Sequence, residues 1–317
     1  MKHLIAAISV LLSLVACTHK ELCYDHPHTS NLSVRFDWST TPEKVPQSMS
    51  VYFFKERSKE PLRFEFTDYD GGRIRLTAGT YNSICVNSDE RNLLVQNSDR
   101  FESFYVTTKE VSSMGGISDF GITTKNIPRA KGSEDQRIVE EPNSIWFSNA
   151  RDIQIGDRTE QDLSLSVIPR IINYNIEIQN AENLKWVYGA TATISGMVGG
   201  FYPATGELSD EKVTIPFETR LDKESSTISG SFTSFGYCQS EDDPHYLKVY
   251  AVLSDDSWWD FTYDITELIH DSEETMLDKD TVSLVLKDLP IPKPVANGGG
   301  FKPTVGEWNS VEIELKM

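Results

Sequence analysis

The sequence predicts an all-β chain, two tandem β-sandwich domains behind an export leader. Apolar residues recur at every second position through most of the 317 residues, the period of a half-buried strand. Clusters of Asp, Asn, Gly and Pro interrupt those runs at short intervals, as antiparallel turns require. Helical spacing is scarce, and the one fair helix, Thr266 to Met276, is short.

The leader comes first. Lys2 precedes an apolar run from Leu4 to Ala16 that ends in Leu14-Val15-Ala16-Cys17. A basic start, an apolar stretch and a small residue at the cut describe a secretory signal. The run falls short of the about 20 residues a membrane span needs. A cysteine directly after the small residue resembles a bacterial lipobox, whose cysteine is acylated and becomes the new N-terminus. Residues 1–16 are then a signal peptide, and Cys17 carries the lipid that holds the mature chain to a membrane. The plainer alternative is a secreted protein with a chance cysteine at the cut.

The strands follow in order. A tether, residues 17–30, leads to Leu32, Val34, Phe36 and Trp38, which alternate with Ser33, Arg35 and Asp37. Met49-Val51-Phe53, Leu62-Phe64-Phe66, Ile74-Leu76 and Ile84-Val86 continue the pattern, with turns at Asp68 to Gly72 and Ala78-Gly79. Gly79 opens the strand of Tyr81 and is expected at positive φ. Residues 109–143 carry few apolar positions and read as a long irregular excursion. Alternation resumes at Ile145-Trp146-Phe147, and the polar stretch Arg151 to Gln161 marks the division into an N-terminal sandwich, residues 31–155, and a C-terminal one, residues 156–317. The same alternation recurs in the second half, at Leu163 to Val167, Ile172 to Ile178, Ala190 to Ile194, Val213 to Phe217, Thr227 to Phe235, Leu247 to Leu253, Trp258 to Ile265 and Val282 to Leu286. A Pro- and Gly-rich loop, Leu289 to Gly300, precedes a last strand with Val311, Ile313, Leu315 and Met317 on one face.

A net charge of −18 argues against nucleic acid as a partner. Lipidation of Cys17 leaves Cys23, Cys85 and Cys238, an odd set with no CxxC pair. That excludes a complete disulfide framework, a redox motif and a zinc knuckle. A Cys23–Cys238 bridge stays open. No GxSxG, P-loop, GxGxxG after a strand or HExxH occurs, so no residue is assigned to catalysis, metal or cofactor binding. His26-Pro27-His28 and the acidic runs Glu241 to Asp243 and Asp255-Asp256 read as solvated surface; calcium loops need a tighter carboxylate pattern. Trp258-Trp259 is the pair to weigh for glycan binding. In a strand Trp259 faces the core with Phe261 and Tyr263, while Trp258 shares the other face with Asp260, Thr262 and Asp264.

Several segments then resemble a known family. They are Glu21-Leu22-Cys23-Tyr24-Asp25-His26-Pro27-His28 after the lipobox, Val34 to Trp38, Leu76-Thr77-Ala78-Gly79-Thr80-Tyr81, Cys85 to Asp89, Val213 to Glu218, and Gly298-Gly299-Gly300-Phe301-Lys302-Pro303-Thr304-Val305 with Trp308. Together they resemble a lipoprotein family of gut-type Gram-negative bacteria that is similar to the fimbrillins. The resemblance implies two transthyretin-like or Ig-like sandwiches, a palmitoylated lipoprotein of the outer membrane, and a non-enzymatic part in pilus or fimbrium assembly and cell adhesion. Partners would be other fimbrial subunits, met by strand exchange. In the pilin branch an arginine-directed protease removes an N-terminal strand, and Arg57 is the candidate cut site here. Anchor and accessory subunits are not cut. A surface glycan-binding lipoprotein is the alternative function.

Overall fold

A computed structural model describes residues 29–40, 46–157, 160–238, 243–271, 281–295 and 307–315. Cys17, Cys23, His19, His26, His28, Glu241, Asp242, the glycine run at 298–300 and Met317 lie outside the described residues.

Alternation builds the first sandwich. In Thr29–Asp37 every second residue is buried, so Leu32, Val34 and Phe36 enter the core while Ser33 and Arg35 face out. This strand is the centre of a three-stranded sheet, between Gly71–Thr77 on one side and Glu160–Ser166 on the other. The facing sheet runs Ile168–Pro169, Trp146–Ile155, Gly79–Asn87, Met49–Lys55, Leu62–Phe66. Met49, Val51, Phe53, Tyr81, Cys85 and Leu165 fill the space between. Removing such side chains from water is worth roughly 1.5–3 kcal/mol each.

Pairing carries this sandwich past the division expected after residue 155. Glu160–Ser166 lies parallel to Thr29–Asp37, with Leu163 opposite Val34 and Leu165 opposite Phe36. The chain leaves for the second half only at Arg170, whose N–H bonds the carbonyl of Ile145 at 2.9 Å. The polar stretch Arg151 to Gln161 suggests a boundary, but Ile155 and Leu165 are both core residues of the one sandwich.

The second sandwich is one continuous strand path: Thr281–Lys287, Ile172–Gln179, Thr227–Ser234, Lys212–Asp222, Val187–Val198, Tyr246–Leu253, Trp258–Asp264, Trp308–Ile313. Lys212–Asp222 turns the corner. Its first half pairs with Val187–Val198 and its second half with Thr227–Ser234. Tyr174, Ile176, Ile194, Phe217, Val249, Phe261 and Leu284 pack inside. The short helix spans Thr266–Asp271.

A fourth sheet joins the halves. Tyr105–Thr108 pairs with Leu93–Gln96 on one side and with Gly200–Tyr202 on the other, and Glu207–Leu208 closes it. Beneath it Phe104, Val106 and Phe147 from the first half meet Val198, Phe201 and Phe235 from the second. Gly200 is required here, since a Cβ at that position would sit 2.2 Å from the carbonyl oxygen of Val106.

The excursion at 109–143 is irregular but not loose. Met114, Ile117 and Ile122 are fully buried and cover Tyr250 and Val252 on the outer face of the second sandwich. It acts as a strap from the first half across the second.

The strands also give the molecule two remote ends. Asp37 lies at the joint, bonded to Val167, whereas Thr29 pairs with Thr77 at the other end of its strand. Val187–Val198 runs away from the joint: Gly199 and Gly200 meet the first half, and Val187 pairs with Leu253 about 36 Å away at strand rise.

Candidate interaction surfaces

The strand Trp308–Ile313 lies parallel to Trp258–Asp264 and ends its sheet among the described residues. Val311, Ile313 and Leu315 pack against the second core but remain half-exposed, less covered than their alternation suggests. An edge strand has a neighbour on one side only, which accounts for the difference. On its other face Ser310 donates to Asp260 Oδ2 at 2.6 Å. Asp260 is ion-paired to Lys248, and both side chains are buried. Lys248 also donates to Thr262 at 2.9 Å. The last strand is therefore tied to a buried charge pair, which is costly to leave half-satisfied.

Trp259, Phe261 and Tyr263 face the core as their period requires. Trp258 takes the other face with Asp260, but it is no free platform. Its ring lies 5.4 Å from that of Trp308, and both tryptophans pack against the strap cluster of Met114, Ile117 and Phe120. Trp308 donates its indole N–H to the carbonyl of Asn126 at 2.8 Å.

Asp255 accepts from the N–H and hydroxyl of Ser257 at 3.2 and 2.6 Å and from the N–H of Val295 at 2.8 Å. Partial burial pushes its carboxyl up, but these bonds outweigh it and hold the pKa below the usual value. The acidic pair thus organises a loop. Among the described residues no three His, Cys, Asp or Glu side chains are arranged to hold a metal. His245 is fully buried beside His270 and Tyr237, with ring centroids 5.3 and 5.5 Å away. Burial, and then the neighbouring His270, press its pKa down to about 4, so it is neutral at pH 7. Cys85 and Cys238 are free, buried thiols, raised above the ordinary thiol value chiefly by that burial.

Arg57 occupies the turn after Met49–Lys55, at φ 65°, with an exposed side chain. Two strands precede it, and Met49–Lys55 lies between Gly79–Asn87 and Leu62–Phe66 inside the five-stranded sheet. The structure also exposes Trp186 and Tyr188, which nothing in the sequence pattern singles out. One sits in a single 3-10 turn and the other at a bulge, neither with a period to reveal it. No helix of the described residues is long and apolar enough to cross a membrane.

Comparison with solved structures places the fold. A candidate adhesin from Bacteroides ovatus ATCC 8483 is 17% identical, covers 95% of this chain and 98% of its own, and superposes with a TM-score of 0.59. A candidate polysaccharide-binding protein from Bacteroides thetaiotaomicron VPI-5482 is 9% identical over 82% of this chain and 90% of its own, with a TM-score of 0.50. The fimbrial anchor protein Mfa2 from Porphyromonas gingivalis is 12% identical over 82% and 91%, with a TM-score of 0.48. No curated protein sequence matches. The first of these similarities extends over both sandwiches and the joint, and it supports an all-β sandwich architecture shared at full length. A family model, domain of unknown function DUF5119, matches residues 16–218, from Ala16 into the second sandwich. The chain is a member of the DUF5119 family, with an all-β fold shared with the Bacteroides ovatus candidate adhesin.

Proposed function

We propose that this protein is a non-enzymatic cell-surface lipoprotein that serves as an uncut anchor or accessory subunit of fimbriae. Acylated Cys17 would hold it to the outer membrane, and its body would contact other subunits and adhesive partners. The observation that carries the uncut reading is the position of Arg57. A cut there would sever two strands, both interior to their sheets, the second supplying Met49, Val51 and Phe53 to the core. A processed pilin gives up a strand whose departure leaves a groove; here the same cut would dismantle a core. The terminal strand supports the same reading, since it completes its own sandwich and is bonded to a buried ion pair.

Membrane fractionation tests the anchor. Wild type should sediment with the outer membrane, and Cys17→Ala should be released with an unchanged melting temperature. Retention of Cys17→Ala in the pellet would refute the lipid anchor. Treating whole cells with trypsin distinguishes the surface from the periplasmic leaflet.

A further inference from the structure

The end of the second sandwich remote from the joint is built from four loops around residues 180–188, 222–226, 254–256 and 288–295. Backbone bonds lock them together. Ala181 N–H bonds the carbonyl of Ser226 at 2.8 Å, Glu182 that of Leu289 at 2.9 Å, and Ser254 that of Trp186 at 2.9 Å. Asn183 donates its side-chain amide to the carbonyl of Ile291 at 2.6 Å, and Lys223 donates to the carbonyl of Val187 at 2.9 Å. These loops are pre-formed rather than free to rearrange.

Two large aromatics stand out of this frame. Leu184 and Val187 are buried and pin the segment. Val187 is extended, φ −80° and ψ 124°, so Trp186 and Tyr188 on either side of it point the opposite way, to solvent. Pairing with the neighbouring strand skips a residue: Val187 faces Leu253, Gly189 faces Val252, and Tyr188 is the extra one. Such bulges re-aim a side chain. Tyr188 is 64% exposed and Trp186 41%. Lys185 sits 5.2 Å from the Trp186 ring centroid and steadies it.

We propose that Trp186 and Tyr188 form a contact site for an uncharged glycan chain, presented at the end of the molecule remote from its N-terminal strand. Several features decide the chemistry. Two isolated rings set among polar loops suit stacking on the apolar faces of sugar rings. They offer far less apolar area than the roughly 1,600 Å² of a stable protein interface. The four loops carry six carboxylates against three lysines. Residues 101–317 hold thirty-six acidic and eighteen basic residues, whereas residues 29–100 hold ten of each. Sulfated or sialylated chains would be repelled from such a field. Exposed Asp256, Glu182 and Asn180 supply the hydrogen-bonding groups that sugar hydroxyls need. The site deepens the adhesive reading above and rests on it for its biological setting, but its binding can be measured on the purified chain without a membrane.

The experiment is a glycan microarray of neutral, sialylated and sulfated oligosaccharides, probed with the purified full chain and followed by titration of the best neutral oligosaccharide. Deglycosylated surface fibres sheared from the cells serve as a second analyte. Binding should be confined to neutral glycans, fall at least tenfold in Trp186→Ala and in Tyr188→Ala, and survive in Trp186→Phe and Tyr188→Phe, which keep a ring. Tyr69→Ala, an exposed aromatic of the first sandwich, should bind as wild type does. Absence of glycan binding, preference for acidic glycans, or equal binding by the alanine variants would overturn the proposal. Capture of the deglycosylated fibres that is lost in Trp186→Ala would assign this end to protein contacts and overturn it as well.

Discussion

The Tyr105 hydroxyl donates to Glu211 Oε2 at 2.7 Å, and this bond crosses the joint between the two sandwiches. Tyr105 begins the strand Tyr105–Thr108, while Glu211 leads into Lys212–Asp222. Arg137, from the strap, holds the other carboxylate oxygen through Nε at 2.6 Å and reaches Thr107 Oγ1 at 3.1 Å. Partial burial works to raise the Glu211 pKa, but the bonds from Arg137 and Tyr105 prevail and keep it below the usual value. One carboxylate therefore ties the first half, the strap and the second half together.

Glu211→Ala leaves both Arg137 and Tyr105 without their acceptor, and it should cost about 1–3 kcal/mol. Tyr105→Phe removes one bond and should cost about 1 kcal/mol. Calorimetry checks both. Glu211→Ala should also split a single unfolding transition into two, because the joint and not either core is weakened.

Gly79 has φ 151°, in keeping with its place as the residue that opens the strand of Tyr81. A Cβ there would also lie 2.7 Å from Lys55 Cε. Gly79→Val should destabilise by roughly 1–3 kcal/mol. A melting curve superimposable on wild type would show that the backbone relaxes freely at this turn.

Acid should act through His245. Its pKa is about 4 when folded, against about 6.5 unfolded. The unfolded chain therefore binds the proton first as pH falls, and stability is lost between about pH 6.5 and 4, by on the order of 3 kcal/mol in all. Above that window the contribution is fully present. His270 and Tyr237 face the ring directly and Asp243 acts on it electrostatically, so the cation gains only partial compensation. His245→Phe should flatten the fall in melting temperature across this window. An unchanged slope would place the acid sensitivity elsewhere.

The last strand should be needed by its own sandwich. Deleting residues 308–317 removes Val311, Ile313 and Leu315 from the core edge and strands Asp260 without Ser310. The truncated monomer should unfold with a markedly smaller transition enthalpy than the full chain, because its second sandwich no longer unfolds cooperatively. If it melts as the full chain does while assembly alone fails, the strand is a donor to another subunit and the anchor reading is wrong.

Much of the sandwich structure is legible in the sequence because long strands carry their own period. Thr29–Asp37, Ile172–Gln179 and Thr281–Lys287 alternate cleanly almost from end to end. The joint is not legible. Leu93–Gln96, Tyr105–Thr108, Gly200–Tyr202 and Glu207–Leu208 have four, four, three and two residues, too few for a period to show. The pairing that closes the joint, Thr107 with Gly200, brings together segments far apart in sequence. The strap hides for another reason. Its apolar residues Met114, Ile117 and Ile122 are sparse and irregularly spaced, since each fills a separate gap over Tyr250 and Val252. At the candidate sites, alternation points to Trp258 as the exposed tryptophan because period alone cannot foresee that Trp308 and the strap will cover it. Tyr188 is exposed by a bulge, a feature of pairing rather than of local sequence.

The most direct test of the anchor or accessory role is isolation of the native protein from its own outer membrane, with mass spectrometry of whatever accompanies it. The account predicts an acylated N-terminus at Cys17, an intact chain across Arg57, and fimbrial subunits co-purifying with it. Recovery of a soluble, unacylated chain, or of a chain cut after Arg57, or of the protein free of any fimbrial subunit, would contradict it.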